Sequence, residues 1–339
     1  MKRIWKMHET YVFLAILVLS AVITAINPNF FSAENFFDLL NSYAFLGILA
    51  VGMLVVLVSG GIDLSFTAVA TVGEYLMAIF ITRHGGNMAI AFLMSMAIGV
   101  ALGMLNAVLI YYFDIPAVIA TIGSLNVFYG LLIVFSGGKW IYTLPTWFRD
   151  FAQTKVISFA NASGAVYGMA TVALIWIIVI VAVTLLLRYT VLGRTIYAVG
   201  GCGFDKSAAT RTGINLLHVN LFVYGLMGFL AGTAGVVQAL QVQTVAPNSI
   251  VGKELNVIAA VVLGGASLAG GRGTITGTLL GVALLAILSN GLTLMRVSSY
   301  WFDVAIGIVI IASVSASAIQ QKRKHRYAID VSTPAEVTA

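Results

Sequence analysis

Between Tyr11 and Ile319 the chain consists largely of apolar stretches about as long as a bilayer is thick, and this constrains the fold more than any motif. A spanning helix needs about 20 mostly apolar residues. Ten such stretches can be drawn: 11–27, 41–59, 63–82, 88–112, 115–136, 165–187, 216–240, 253–269, 273–295 and 299–319. Only 9% of the residues are charged, against roughly 25% in an average soluble domain. Such a chain cannot give a globule a water-compatible surface, so the expected fold class is an all-α membrane protein of ten spanning helices. Pro116 opens the fifth stretch, where proline suits the first turn. The first stretch follows a basic start but leads to no convincing small-x-small cleavage site, so it reads as a retained helix.

Charge is confined to the ends and to a few loops. The net charge of +6 reflects MKRIWKMH at the start and QKRKHRY near the end. These read as anchors at a membrane surface, and no folded basic patch for nucleic acid is visible. Placing both ends in the cytoplasm puts most Lys and Arg inside, among them Arg188, Arg194, Lys206, Arg211 and Arg272. Residues 1–319 then form the transmembrane domain, with a cytoplasmic loop at 188–215, and 320–339 reads as a disordered cytoplasmic tail. The single cysteine, Cys202, excludes an internal disulfide, and the four histidines lie too far apart for a metal site. No metal or cofactor is expected. GVAL occurs at Gly99 and again at Gly281. If this marks a repeat, the halves are inverted, an architecture common in transporters.

Two glycine-rich interruptions stand out. SGGIDLS, Ser59 to Ser65, separates the second and third stretches with almost no loop. Gly60 and Gly61 let the backbone turn sharply or unwind. Asp63 then has two readings: a helix cap in a tight turn, or part of an unwound segment lining a polar path. ASLAGGRGTITG, Ala266 to Gly277, repeats the device, but it lacks the GK[ST] ending and the preceding strand of a phosphate loop. ATP chemistry therefore belongs to another subunit. Gly225, Gly228, Gly232 and Gly235 fall on one helix face and read as a packing stripe.

Glu74 sits midway along the third stretch, with Arg83 too distant along the helix to pair with it directly. It should face a polar cavity or be neutral and bonded to a neighbouring helix. Asn106, Asn126, Gln238, Gln241, Asn256 and Asn290 carry amides that suit polyol ligands, and each also suits interhelical bonding; the four asparagines are the further candidates for a polar path. In the 188–215 loop, Asp205, Lys206, Ser207, Ala208, Ala209, Thr210 and Arg211 read as a short helix. Asp205 caps it, Arg211 suits its end and Gly213 stops it. A soluble partner is the expected reason for such an element.

Taken together, NPNFFSAENFFDLL, AVGMLVVLVSGGIDLS, IPAVIATIGSLNVFYGL, LGRTIYAVGG, SAATRTGI, ELNVIAAVVLGGASLAGGRGTITGTLLG and SNGLTLMRVSSYW resemble the permease subunits of ribose-type bacterial carbohydrate-uptake ABC importers. The resemblance runs over roughly residues 25 to 315. It implies a ten-helix, vitamin-B12-permease-like (type II) fold in the cytoplasmic (inner) membrane. It further implies a second permease copy, identical or paralogous, and a secreted sugar-binding protein. An ATP-binding subunit with two nucleotide-binding domains would grip the loop from Arg194 to Gly213. The chain itself is then no enzyme. Asp63 with Gly60 and Gly61 becomes a signature at the translocation path. The sequence departs from the family at Cys202, where Asn is usual, and at Phe66, where Val-Gly is common. FSGGKWIYTLP is similar to the branch that imports autoinducer-2. The alternatives are a proton-coupled secondary sugar transporter using Glu74, an amino-acid-type ABC permease, and an intramembrane hydrolase built on Ser267 and His218.

Overall fold

A computed structural model describes residues 2–160, 164, 166–203, 207–298, 300–308 and 311. The elements are α1 Lys2–Ile26, α2 Ala33–Ser42, α3 Ala44–Val58, α4 Phe66–His84, α5 Met88–Tyr112, α6 Ala117–Ser136 and α7 Thr146–Gln153. They continue with β1 Lys155–Ala160, β2 Val166–Ala170, α8 Thr171–Tyr189, α9 Val191–Gly201, α10 Ser207–Arg211, α11 Leu216–Val242, α12 Glu254–Leu263 and α13 Ile275–Leu294. Among the described residues seven helices are long and apolar enough to cross a membrane, and α2 with α3, bent by 52°, makes eight if the pair is taken as one broken span. The fold is therefore an all-α membrane bundle with one small hairpin.

The core is arranged around α3. AFLGILAVGMLVVLV is apolar on every side, and only Leu46 is not fully buried. A helix without a polar stripe has to be enclosed, and α3 is surrounded by α8, α9, α11, α12 and α13. On α11, the glycine stripe brings backbones together: an added Cβ at Gly228 would lie 2.0 Å from the Gly99 carbonyl, and one at Gly232 would lie 2.3 Å from that of Ser95. The outer helices present apolar faces where lipid belongs. Leu14 and Val18 on α1, Val127 and Phe135 on α6, and Val181 and Leu185 on α8 are exposed.

Three differences from the sequence reading have physical causes. The stretch 165–187 begins as a strand: β2 pairs antiparallel with β1, with Ser158 opposite Gly168, and helix α8 starts only at Thr171. Phe37 of α2 packs its ring against Phe159 and Tyr167, holding the hairpin on the bundle. The stretch 253–269 yields only α12, whose ten residues reach about 15 Å at helical rise, half of a ~30 Å hydrocarbon core. Gly264 and Gly265 end it, Gly265 at φ +91°. The 188–215 loop contains a helix of its own, α9, capped by the Thr190 hydroxyl, which accepts from Gly193 N–H at 3.0 Å. Of the stretch 299–319, residues 300–308 are helical. Asp205, Lys206 and the tail 320–339 lie outside the described residues.

Candidate translocation path and coupling site

The SGGIDLS break follows from its composition. The α3 ladder ends as Gly60 N–H donates to Leu57 O (2.9 Å) and Gly61 N–H to Val56 O (3.1 Å). Gly60 turns at φ +82°, a conformation open to glycine at little cost. Gly61 leaves room for Tyr224, whose hydroxyl would lie 2.6 Å from any added Cβ. Asp63 is buried and restarts the helix. Its Oδ1 accepts from Ser65 N–H (2.8 Å) and from the Ser65 hydroxyl (2.7 Å). Asn106, reaching from α5, donates its Nδ2 to Ser65 Oγ at 2.6 Å. The α6 side is pinned as well, since Leu64 N–H donates to Thr121 Oγ1 at 3.1 Å. Asp63 and Asn106 are thus one network on opposite sides of Ser65, with the Asn106 carbonyl oxygen left without a partner among the described residues.

Glu74 belongs to a second group, on the α4 face that also carries Thr67 and Thr71. It is fully buried, and its Oε2 accepts from the Ser249 hydroxyl at 3.2 Å, while Oε1 has no hydrogen-bond partner among the described residues. Lys253 lies within electrostatic reach of Glu74, its ammonium 5.2 Å from the centre of the Phe45 ring. Thr67 donates its hydroxyl to Glu254 at the start of α12. Ser249, Lys253 and Glu254 come from a segment nearly 180 residues further along the chain, so no local spacing could have linked them to Glu74.

The remaining path candidates separate. Asn290 exchanges hydrogen bonds with Asn35 (2.9 and 3.2 Å), tying α13 to α2. Asn126 is exposed and donates to Ile122 O on its own helix at 2.8 Å. Asn256 is half-buried in the first turn of α12, away from the Asp63 network. Thr121 completes that network, and the Tyr224 hydroxyl packs beside it against Gly61; both were missed in sequence, because only the fold brings α11 and α6 to the break.

A feature with no sequence counterpart joins the two glycine breaks to α9. Gly271 N–H donates to Val58 O at 2.9 Å. Gly200, near the end of α9, is so close that an added Cβ would lie 1.8 Å from that same carbonyl. An added Cβ at Gly270 would lie 2.7 Å from Gly60 Cα, and one at Gly271 2.7 Å from Gly201 Cα. Tyr197 of α9 adds a hydrogen bond from its hydroxyl to Gly273 O at 2.9 Å. Three segments therefore meet backbone to backbone, with no room for a side chain at Gly200, Gly270 or Gly271.

The short helix α10 begins at Ser207, six residues after the last residue of α9. Ala209 is buried, while Ala208, Thr210, Arg211 and Gly213 are exposed. Ile214 N–H returns to Ala209 O (3.2 Å) and Gly213 turns at φ +82°, ending the helix as its glycine suggested. Arg194 is exposed on α9, on the chain segment leading into the same loop.

A multi-span bundle with broken helices and an appended polar loop is the build of a multi-pass transport permease of a bacterial inner membrane. More particularly, the chain belongs to the family described as "Branched-chain amino acid transport system / permease component", whose model matches residues 35–314. It is 36% identical over 312 residues to the ribose import permease protein RbsC of Escherichia coli strain K12, covering 91% of this chain and 93% of that one. RbsC of Bacillus subtilis strain 168 is 36% identical over 304 residues, 89% and 90% of the two chains. The autoinducer 2 import system permease protein LsrC of Yersinia enterocolitica is 33% identical over 309 residues, 90% and 81% of the two chains. The resemblance to ribose-type importer permeases is thereby confirmed. No solved structure matches the chain.

Proposed function

We propose that the chain forms the translocation path of an ATP-driven importer for a monosaccharide or similar polyol. An external binding protein delivers the cargo, a second permease copy completes the path, and a separate subunit with two nucleotide-binding domains hydrolyses ATP. Both ends and the 188–215 segment lie on the cytoplasmic side, and residues Arg194 to Gly213 are the surface the ATPase grips.

The observation that carries this reading is the glycine junction. A force applied to α9 and the segment after it reaches Val58 and Gly60 through backbone contacts alone. It therefore acts directly on the break that seats Asp63. Side chains could yield by changing rotamer, whereas touching backbones cannot. The printed names of the relatives, ribose and autoinducer-2 import permeases, supply the cargo class.

The test is reconstitution in liposomes with the ATPase and binding protein. Uptake of radiolabelled sugar is expected only with ATP and all components present. Uptake by this chain alone, without ATP, would overturn the reading.

A further inference from the structure

At the hairpin end of the bundle, a cleft of about 440 Å³ opens between the ends of α2 and α7, the start of α8 and the last turns of α11. None of the path candidates lines it. Known ligand pockets run from about 300 to 1,000 Å³.

The polar groups facing it are all neutral. Gln238 lines the cleft and is only 7% exposed, yet among the described residues its amide makes no hydrogen bond. Its amide is not among the enclosed polar atoms that lack a partner, so it reaches the cleft and can pair with a molecule there. Beside it, Gln241 donates its Nε2 to Asn41 O at 2.6 Å, which leaves its carbonyl oxygen to accept. Asn41 is itself held rigidly. Its Nδ2 donates to Gly168 O and its Oδ1 accepts from Ala170 N–H, both at 2.9 Å. The hairpin thus fixes the wall on which Gln241 is oriented. Val172, Leu240 and Ala152 provide an apolar surface on the remaining sides.

From this arrangement we infer that the cleft binds a neutral, hydroxyl-rich molecule of monosaccharide size. An amide offers a donor and an acceptor side by side, as adjacent hydroxyls require, and the apolar wall suits the C–H face of a sugar ring. A free amino acid carries a carboxylate and an ammonium, and no residue lining the cleft offers either a counter-charge. The inference rests on the importer reading above and adds a cargo subsite to it at the end facing the binding protein.

The test uses the full-length chain in lipid nanodiscs, probed by saturation-transfer NMR with D-ribose, D-xylose, D-galactose, myo-inositol and L-leucine. At least one of the four polyols is expected to give a signal, and L-leucine none. Gln238→Leu, similar in size but unable to hydrogen-bond, should abolish that signal. Ala152→Trp should do the same by filling the cleft without touching an amide, which covers the case in which the Leu variant misfolds. Leu185→Ala, on the exposed outer face of α8 and not lining the cleft, should leave the signal intact. The inference is overturned if no polyol binds the native chain, if the signal survives in both cleft variants, or if L-leucine competes. Failure of the importer reading is separate: the native assembly would then take up no sugar with ATP.

Discussion

Replacing Gly200 by alanine tests the junction most directly. The new Cβ would sit 1.8 Å from Val58 O and 2.7 Å from Gly271 N, atoms already joined by a 2.9 Å hydrogen bond. Contact between carbon and its neighbours is favourable only near about 3.5–4 Å, so the backbones must part by more than an ångström. Overpacking of this kind costs about 1–3 kcal/mol, and losing the Gly271–Val58 bond adds about 0.5–1.5 kcal/mol. Against this, alanine restrains the unfolded chain, which returns about 0.4–1 kcal/mol. The net destabilisation is then about 0.5–4 kcal/mol, centred on about 2 and enough to lower the melting temperature by a few degrees. Gly201 is the matched control. It is the next residue of α9, and among the described residues an added Cβ there has no heavy atom within 4 Å. Gly201→Ala should therefore be neutral or slightly stabilising. Both variants would be compared by tryptophan-fluorescence melting and by ATP-driven uptake in liposomes containing the complete importer. For Gly200→Ala, basal ATP hydrolysis should survive in the assembled complex while uptake per ATP falls sharply. Equal stability and equal coupling of the two variants would refute the reasoning.

Further expectations concern the polar groups. Asp63→Ala removes both bonds to Ser65 and should cost about 1–3 kcal/mol through the uncapped start of α4, read as a lowered melting temperature that Asp63→Asn partly restores. Glu74→Gln keeps an acceptor for Ser249, so ATP-driven uptake should persist and stay insensitive to a protonophore; loss of uptake together with protonophore sensitivity would favour proton coupling instead. Arg211→Glu, at an exposed position, should leave melting unchanged and weaken co-purification of the ATPase subunit.

Which features were legible in sequence depended on how local their causes are. Met88–Tyr112 matches its apolar run residue for residue, because Asn87 caps it and no partner is needed to define its ends. The SGGIDLS break was equally visible, since two glycines and an aspartate act on their own neighbourhood. The hairpin could have been found: VISFA, a Gly-containing turn and VYGMA fit the strand–turn–strand pattern, but their apolar content blended into the helix that follows. α12 was drawn too long because Gly264 and Gly265 sit inside an otherwise apolar run. Asn126 and Asn290 looked equivalent in sequence, and only the fold separates an exposed face from a bond to Asn35. Glu74 meets Ser249 and Lys253 across a gap that no periodicity can bridge. The glycine junction was invisible for a related reason. Each of its glycines has ordinary neighbours in sequence, and the need for it arises from what lies across the contact.

The complete enclosure of α3 has a consequence for how the protein is made. This helix leaves the ribosome early, and its first environment is lipid, which accepts its apolar surface on every side. Its main companion, α11, begins only at Leu216, more than 150 residues later. Until then α3 cannot take up its final surroundings, so the bundle closes around it only after most of the chain has been synthesised. A polypeptide cut short before Leu216 leaves an inserted helix with vacant sides, which quality-control proteases of the membrane can recognise and remove.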